Sequence, residues 1–135
     1  MYSNPCSIDV KDVIESETSF VFGTDMFIGL MPDSVNDCIA IYDTVAFQQD
    51  ARNSYDIDSI QVRSRAHDYN TAYTYLMTVR RKIEGIAEFT RNGTVYKGIW
   101  ASSNVAFLKY DDQKRALFSI NFNLIRVPIE RGHRQ

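Results

Sequence analysis

Residues 59–73 constrain the fold more than any other part of this chain, because they predict a β-strand that runs almost directly into an α-helix. Successive side chains of a strand point to opposite faces of a sheet, so this strand has two unlike sides. One side carries small and apolar residues, namely Ile60, Val62, Ser64 and Ala66. The other side carries polar residues, namely Gln61, Arg63 and Arg65. A face that bears arginines and that helices leave uncovered must contact water, nucleic acid or another protein.

Apolar residues at a spacing of three and four predict two amphipathic helices. The first covers residues 5–16, and its apolar stripe consists of Cys6, Val10, Val13 and Ile14. The second begins after Asp68, a residue type that caps helix N-termini, and its apolar spacing continues to Ile86. Gly85 either terminates this helix or lies within a last distorted turn. A cationic cluster at residues 80–82 indicates the end of this helix, because cations stabilise the C-terminal end of the helix dipole.

The remaining patterned segments predict a mostly antiparallel sheet. Besides the strand described above, its strands are expected at residues 38–42, 88–91, 94–100, 105–110 and 116–127. The pair Asn92 and Gly93 is typical of a tight hairpin turn. The last strand alternates, and its inward residues are Phe118, Ile120, Phe122 and Leu124. The predicted fold class is therefore α+β, a single two-layer domain with a mostly antiparallel sheet and two helices packed on one face.

Length and charge limit the class of protein. A chain of 135 residues is the usual size of one domain, so we predict one domain over residues 1–135 with a mobile loop 43–57 and tail 128–135. The net charge of −2 argues against a protein that coats nucleic acid. No apolar run approaches the roughly 20 residues that span a membrane, and the N-terminus lacks the pattern of a secretory signal. Cys6 and Cys38 are expected to be free, partly buried thiols in a reducing compartment.

The side chains needed for catalysis or metal binding do not form a recognisable set. The histidines are His67 and His133, and no close pair of histidines or cysteines has the spacing of a metal site. The glycines form no phosphate-binding motif. Most of the aromatic residues fall on predicted inward faces, which favours core packing over a stacking platform for single-stranded nucleic acid. We therefore expect no enzyme, no cofactor and no metal ion.

Four stretches of the chain, taken in order, carry a further signal. They are residues 23–29 (Gly-Thr-Asp-Met-Phe-Ile-Gly) with 31–33, residues 38–42, residues 60–73 with their Val-Arg-Ser-Arg core, and residues 92–96 with 98–101 (Gly-Ile-Trp-Ala) and 117–123. In this order and spacing they resemble the phage minor capsid and tail terminator family of long-tailed phages, also called tail completion proteins. The resemblance covers most of the chain. It departs at residues 103–106, where relatives tend to carry proline and paired aromatics.

The resemblance implies a role rather than a reaction. Such proteins form a ring, commonly of six subunits, on the head-proximal end of a finished tail tube. The ring stops tube polymerisation and presents a surface to the head connector. The implied partners are the chain itself, the tail tube protein and the head–tail connector protein, with DNA only passing through the lumen and no membrane. The implied location is the tail or neck of the virion, after assembly in the host cytoplasm.

Two surfaces are predicted to serve such contacts. Gln61, Arg63 and Arg65 are the first, because the planar fork of arginine makes several directed hydrogen bonds at protein interfaces. The alternative for this face is simple solvation. The second is the loop 43–57, whose anchor residues would be Phe47, Arg52 and Tyr55.

Two other functions remain open from the sequence. One is a head-side completion or connector protein of the same particle. The other is a small DNA-binding module that uses Arg63, Arg65 and the cluster at residues 80–82, and it would show an affinity for DNA that falls steeply with salt.

Overall fold

The computed structural model of the protein describes residues 4–44, 48–49 and 56–128. Within these residues eight strands form one sheet, and two helices pack against one face of it. Along the chain the elements are α1 (Cys6–Glu17), β1 (Met26–Ile28), β2 (Cys38–Asp43), β3 (Gln48–Gln49), β4 (Asp56–Ala66), α2 (Tyr69–Ile83), β5 (Phe89–Arg91), β6 (Thr94–Ala101), β7 (Ala106–Tyr110) and β8 (Ala116–Pro128). The prediction of an α+β domain with a mostly antiparallel sheet is confirmed.

The long antiparallel pair of β4 and β8 forms the centre of the sheet. All 11 residues of β4 have a partner in β8, from Asp56 opposite Arg126 to Ala66 opposite Ala116. On the side of β4 away from β8, the strands β2 and β3 pair with successive parts of β4. On the side of β8 away from β4, the strands β6 and β7 pair with successive parts of β8. The strand β1 lies outside β2 and parallel to it, and β5 lies outside β6. The position of each outer strand therefore depends on the central pair.

The core lies between the helices and one face of the sheet. Its fully buried members are Ile39, Ile41, Ile60, Val62, Ile120, Phe122 and Leu124 on the sheet and Val10, Ile14, Ala72, Leu76, Val79 and Ile83 on the helices. Burial of one such side chain stabilises the fold by about 1.5–3 kcal/mol. The buried hydroxyl of Ser64 donates a 2.7 Å hydrogen bond to the backbone carbonyl of Ala72. That bond joins β4 to α2 and leaves the serine hydroxyl satisfied.

Helix α2 has the predicted start and an earlier end than its apolar spacing indicated. The carboxylate of Asp68 accepts a 3.0 Å hydrogen bond from the backbone N–H of Thr71, as an N-terminal cap does. The helix ends at Ile83, and Ile86 packs against the core from outside the helix. Gly85 explains the difference, because a glycine inside a helix costs about 1 kcal/mol relative to alanine.

The predicted hairpin turn between β5 and β6 is confirmed. Asn92 has a φ of 52° and Gly93 a φ of 77°. Positive φ at both central residues is the requirement of a type I′ turn, whose twist matches the twist of the strands that it joins.

The prediction of an irregular loop over residues 43–57 is wrong at both ends of that segment. Asp43 is the last residue of β2, and Gln48 and Gln49 pair with residues 57 and 56 of β4. Strand β4 therefore begins at Asp56, which is nearer the N-terminus than the alternation of apolar residues indicated. The remaining residues of the segment lie outside the described part of the chain, as does the tail from residue 129, and their mobility stays a prediction.

The inward side of β8 can be tested with Ile120, which is fully buried. We expect Ile120→Ala to lower the free energy of unfolding by about 2–5 kcal/mol, because it removes buried methyl groups and leaves a cavity. Ile125→Ala, at a half-buried residue on the opposite face of the same strand, is the matched control and has a smaller effect. Urea denaturation measures both values. Equal losses would contradict the assignment of the two faces.

Candidate interaction surfaces

A row of hydrogen-bonded polar side chains covers the face of the sheet opposite the helices. Ser59 donates a 2.9 Å hydrogen bond from its hydroxyl to Oδ1 of Asn123, and Gln61 donates one of 3.1 Å from Nε2 to Oδ1 of Asn121. Each bond joins residues that are direct partners in β4 and β8. We call this surface, with Arg63, the polar ladder. Because its members bond to one another, the surface is polar without leaving them unsatisfied.

Arg63 extends the polar ladder towards β2. Its Nε donates a 2.6 Å hydrogen bond to Oε1 of Gln61, and its guanidinium lies 5.0 Å from the ring centre of Tyr42. Such a cation–π contact contributes about 0.5–1 kcal/mol at a partly exposed site. Gln61 and Arg63 therefore lie together on the uncovered face, as predicted, and both are half-buried.

Arg65 lies on the same face but does not form an open surface. Only 6% of it is exposed, and its Nη2 donates hydrogen bonds of 2.5 and 2.6 Å to the backbone carbonyls of Pro32 and Val35. The segment that connects β1 to β2 folds over this part of the sheet. The prediction that Arg65 lies on a face open to water or to a partner is therefore wrong. Its guanidinium fixes a connection within the chain.

A second buried arginine holds the same segment. Arg115, 1% exposed, forms ion pairs with Asp33 at 2.7 Å and with Asp111 at 2.8 Å, and it donates a 3.0 Å hydrogen bond to the backbone carbonyl of Asp33. We call Arg65 and Arg115 the arginine clamp. The composition of residues 111–114, Asp-Asp-Gln-Lys, predicts only a turn. The available signal was an arginine directly before the apolar alternation of β8.

Arg115 of the arginine clamp lowers the pKa of the two carboxylates that it contacts, those of Asp33 and Asp111. The hydrogen bond from Arg115 holds the pKa of Asp33 below its ordinary value. Burial alone would raise the pKa of Asp111, but hydrogen bonds from the backbone and side chain of Arg115 outweigh it and lower that pKa. Both groups are therefore ionised in the folded protein at neutral pH and balance the buried cation.

An exposed aromatic cluster lies at one edge of the sheet. All five residues of β7 are exposed, and Tyr69 and Tyr73 of α2 lie beside it. The ring centre of Tyr69 lies 5.2 Å from that of Phe107 and 4.9 Å from that of the buried Phe118. We call this surface the aromatic edge; it consists of Tyr69, Tyr73, Phe107, Leu108 and Tyr110. The prediction that aromatics mostly serve the core is wrong here, because neither face of β7 is covered.

The connection that precedes β7 continues the hydrogen bonding of the polar ladder. Ser103 accepts a 3.0 Å hydrogen bond at its hydroxyl from the backbone N–H of Asn121, and the backbone N–H of Ser102 donates one of 2.8 Å to the carbonyl of Asn121. The serines therefore bridge the gap between β6 and β7 along β8.

The interior polar groups form a structural network. The buried carboxylate of Asp9 accepts hydrogen bonds from the hydroxyl of Tyr96 and from Asn92 Nδ2, and Arg126 forms a 2.6 Å ion pair with Asp58. A cleft of about 230 Å³ adjoins this network. Burial raises the pKa of the Cys6 thiol at its wall to about 12, so the thiol stays protonated and is a poor nucleophile. The Cys6 thiol is therefore not an activated nucleophile.

Cys6 and Cys38 are buried free thiols, and His67 is exposed just before the start of α2. Among the residues that the structure describes, no group of three or more His, Cys, Asp and Glu side chains could hold a metal ion. None of the described helices is long and apolar enough to cross a membrane. The predicted contact residues Phe47, Arg52 and Tyr55 lie outside the described residues.

The arginine clamp predicts a specific dependence of stability on pH. A carboxylate whose folded pKa is lowered stabilises the fold above its unfolded pKa of about 3.9, and this stabilisation is lost as the pH falls through the folded value. We expect Asp111→Asn to be less stable than the wild type at pH 7 and to lose less stability between pH 5 and pH 3. Asp112→Asn removes the carboxylate of the exposed neighbour in the same turn and is the matched control. Urea midpoints across this range measure the effect, and a wild-type profile for Asp111→Asn would contradict it.

Comparison with known proteins identifies the family of the chain. No curated protein matches the sequence. Residues 13–128 match the family described as bacteriophage tail terminator protein, so the match covers all of α2, all eight strands and the last five residues of α1. Proteins of this family are structural components of phage tails, and the expected family is confirmed. The chain belongs to the bacteriophage tail terminator family and is a structural component of the virion tail.

Proposed function

We propose that this chain caps the head-proximal end of the phage tail tube as a ring of six subunits. In this proposal the ring stops tube polymerisation and provides the surface that joins the tail to the head connector. Its partners are further copies of the chain, the tail tube protein and the connector protein, while DNA only passes through the lumen. Assembly takes place in the host cytoplasm. The family match over residues 13–128 is the observation that carries the proposal.

The surfaces of the described residues support a structural role over a catalytic one. A ring of identical subunits needs two different patches that meet on neighbouring copies, and a cap needs a further surface for the tube. The polar ladder and the aromatic edge are chemically distinct and lie on different parts of the sheet. Phe47, Arg52 and Tyr55 stay a further predicted contact within the segment 43–57.

The polar ladder is the proposed contact with a different protein. Its side chains satisfy one another's hydrogen bonds, so the surface is compatible with water before docking and can exchange these bonds for intermolecular ones. Arg63 adds a partly exposed cation with directed donors. A DNA-binding role has less support, because Arg65 is engaged with backbone carbonyls and Arg80 forms a 3.0 Å ion pair with Glu84.

Replacing Arg63 by glutamate tests this contact. We expect Arg63→Glu to weaken capping roughly tenfold or more, because it reverses a charge and removes directed donors at the interface. Arg65 stays unchanged, since its replacement would break the arginine clamp. Lys82→Glu makes the same change of charge at an exposed residue of the helix layer and is the matched control. The measurement is the length of tubes polymerised with each variant, seen by electron microscopy.

The same preparation separates the proposal from its alternatives. Wild-type protein that stops tube growth and decorates one end supports the cap. Binding to emptied heads and not to tubes would assign the chain to the head side of the joint. Arg63→Glu protein that caps tubes like the wild type would show that the polar ladder is not the contact surface. Binding to DNA that falls steeply with salt would favour the DNA-binding module.

A further inference from the structure

The exposed apolar side chains of the described residues are concentrated at two places. Five of the nine that are large form the aromatic edge, and three lie around β1, namely Val21, Phe22 and Leu30. The ninth is Trp100 of β6. We call the strand β1 together with Val21, Phe22 and Leu30 the β1 edge. Such concentration differs from the single scattered apolar residues of ordinary protein surfaces.

These two surfaces lie at opposite edges of the same sheet. The strand order runs from β1 through β2, β4 and β8, and β7 pairs with β8 on the side away from β4. Edge strands present unpaired backbone groups, and natural proteins protect them with charges, prolines or short length. The sequence of β7, Ala-Phe-Leu-Lys-Tyr, has one charge and four apolar or aromatic residues. An edge of this composition is suited to be covered by protein.

Lys109 of β7 is opposite in sign to the carboxylates beside β1. Beside β1, the carboxylate of Glu15 accepts a 2.8 Å hydrogen bond from the backbone N–H of Phe22, and that of Asp25 accepts one of 2.7 Å from Val21. Lys11 also lies over the ring of Phe22, but it forms an ion pair with Asp12 at 2.7 Å. The β1 edge is therefore acidic in balance, whereas the charged residue within β7 is Lys109.

We propose that the aromatic edge of one copy docks on the β1 edge of the next copy, so that sheets follow one another edge to edge around an assembly. The proposal rests on the ring of the proposed function and names the surfaces that form its subunit contact. Two unlike patches at opposite edges form a head-to-tail contact, which closes into a ring when the rotation between copies is suitable. Pairing of two aromatic edges would instead bring two copies of Lys109 into one strand pair, where like charges repel.

Cross-linking of two single-cysteine additions tests the contact. Leu108→Cys and Leu30→Cys place thiols at exposed residues of the two edges, while the native Cys6 and Cys38 are buried. The two variants are mixed on growing tail tubes and treated with a short bismaleimide. We expect cross-linked dimers in the mixture and not in either variant alone, and a ladder of larger products for the double variant. Wild-type protein treated in the same way measures the background from native thiols.

A second variant tests the contact without cross-linking. Leu108→Glu places a charge in the aromatic edge at an exposed residue. It is combined with Tyr110→Cys in one copy, and the other copy carries Leu30→Cys. We expect the added charge to reduce cross-linking between these two cysteines roughly tenfold or more. Lys82→Glu in the same background is the control on the helix layer. Circular dichroism verifies that each variant is folded. Cross-linking that Leu108→Glu leaves unchanged would overturn the assignment of the aromatic edge.

The outcomes distinguish this inference from the proposed function. Tubes that are capped without cross-links between the two edges would overturn the inference and leave the cap in place. Dimers from Leu108→Cys alone would show a two-fold contact between aromatic edges and also overturn it. Cross-linked ladders from a protein that does not stop tube growth would support the contact and contradict the cap.

Discussion

The pairing of β4 with β8 is the constraint on which the rest of the structure depends. Eleven consecutive partners fix which side chains share a face, and a slip of one residue would turn every inward side chain outward. The same register that buries Val62 beside Ile120 brings Gln61 to Asn121 on the opposite face. The hydrophobic core and the polar ladder are therefore two consequences of a single register.

Three arginines illustrate how location in the fold decides the role of one residue type. Arg63 lies over an aromatic ring at a half-buried position, while Arg65 and Arg115 are buried. A buried guanidinium stabilises a fold only where partners satisfy it. The connection between β1 and β2 supplies backbone carbonyls to Nη2 of Arg65 and the carboxylate of Asp33 to Arg115, while the buried Nε of Arg65 finds no partner among the described residues. This connection also covers the part of that sheet face around Arg65 and leaves the part with the polar ladder uncovered.

Local patterns predicted the elements of this fold, whereas features that depend on strand order were not predictable from them. The cap at Asp68, the turn at Asn92 and the alternation of β8 each rest on neighbouring residues, and each was predicted correctly. The exposure of Phe107 depends on β7 having β8 on one side and no described strand on the other. The burial of Arg65 depends on a segment thirty or more residues away. Neither relation has a local signal.

The separation of apolar edges from a polar face has a physical consequence for assembly. Apolar contacts between identical copies contribute affinity in proportion to the area removed from water, with little requirement for orientation. Directed hydrogen bonds discriminate better between partners, because a wrong partner leaves buried polar groups unpaired. The aromatic and β1 edges are suited to repeated contact with copies of the chain, and the polar ladder to recognition of one different protein. A subunit that meets its own copies and another component of the tail needs both kinds of surface at once.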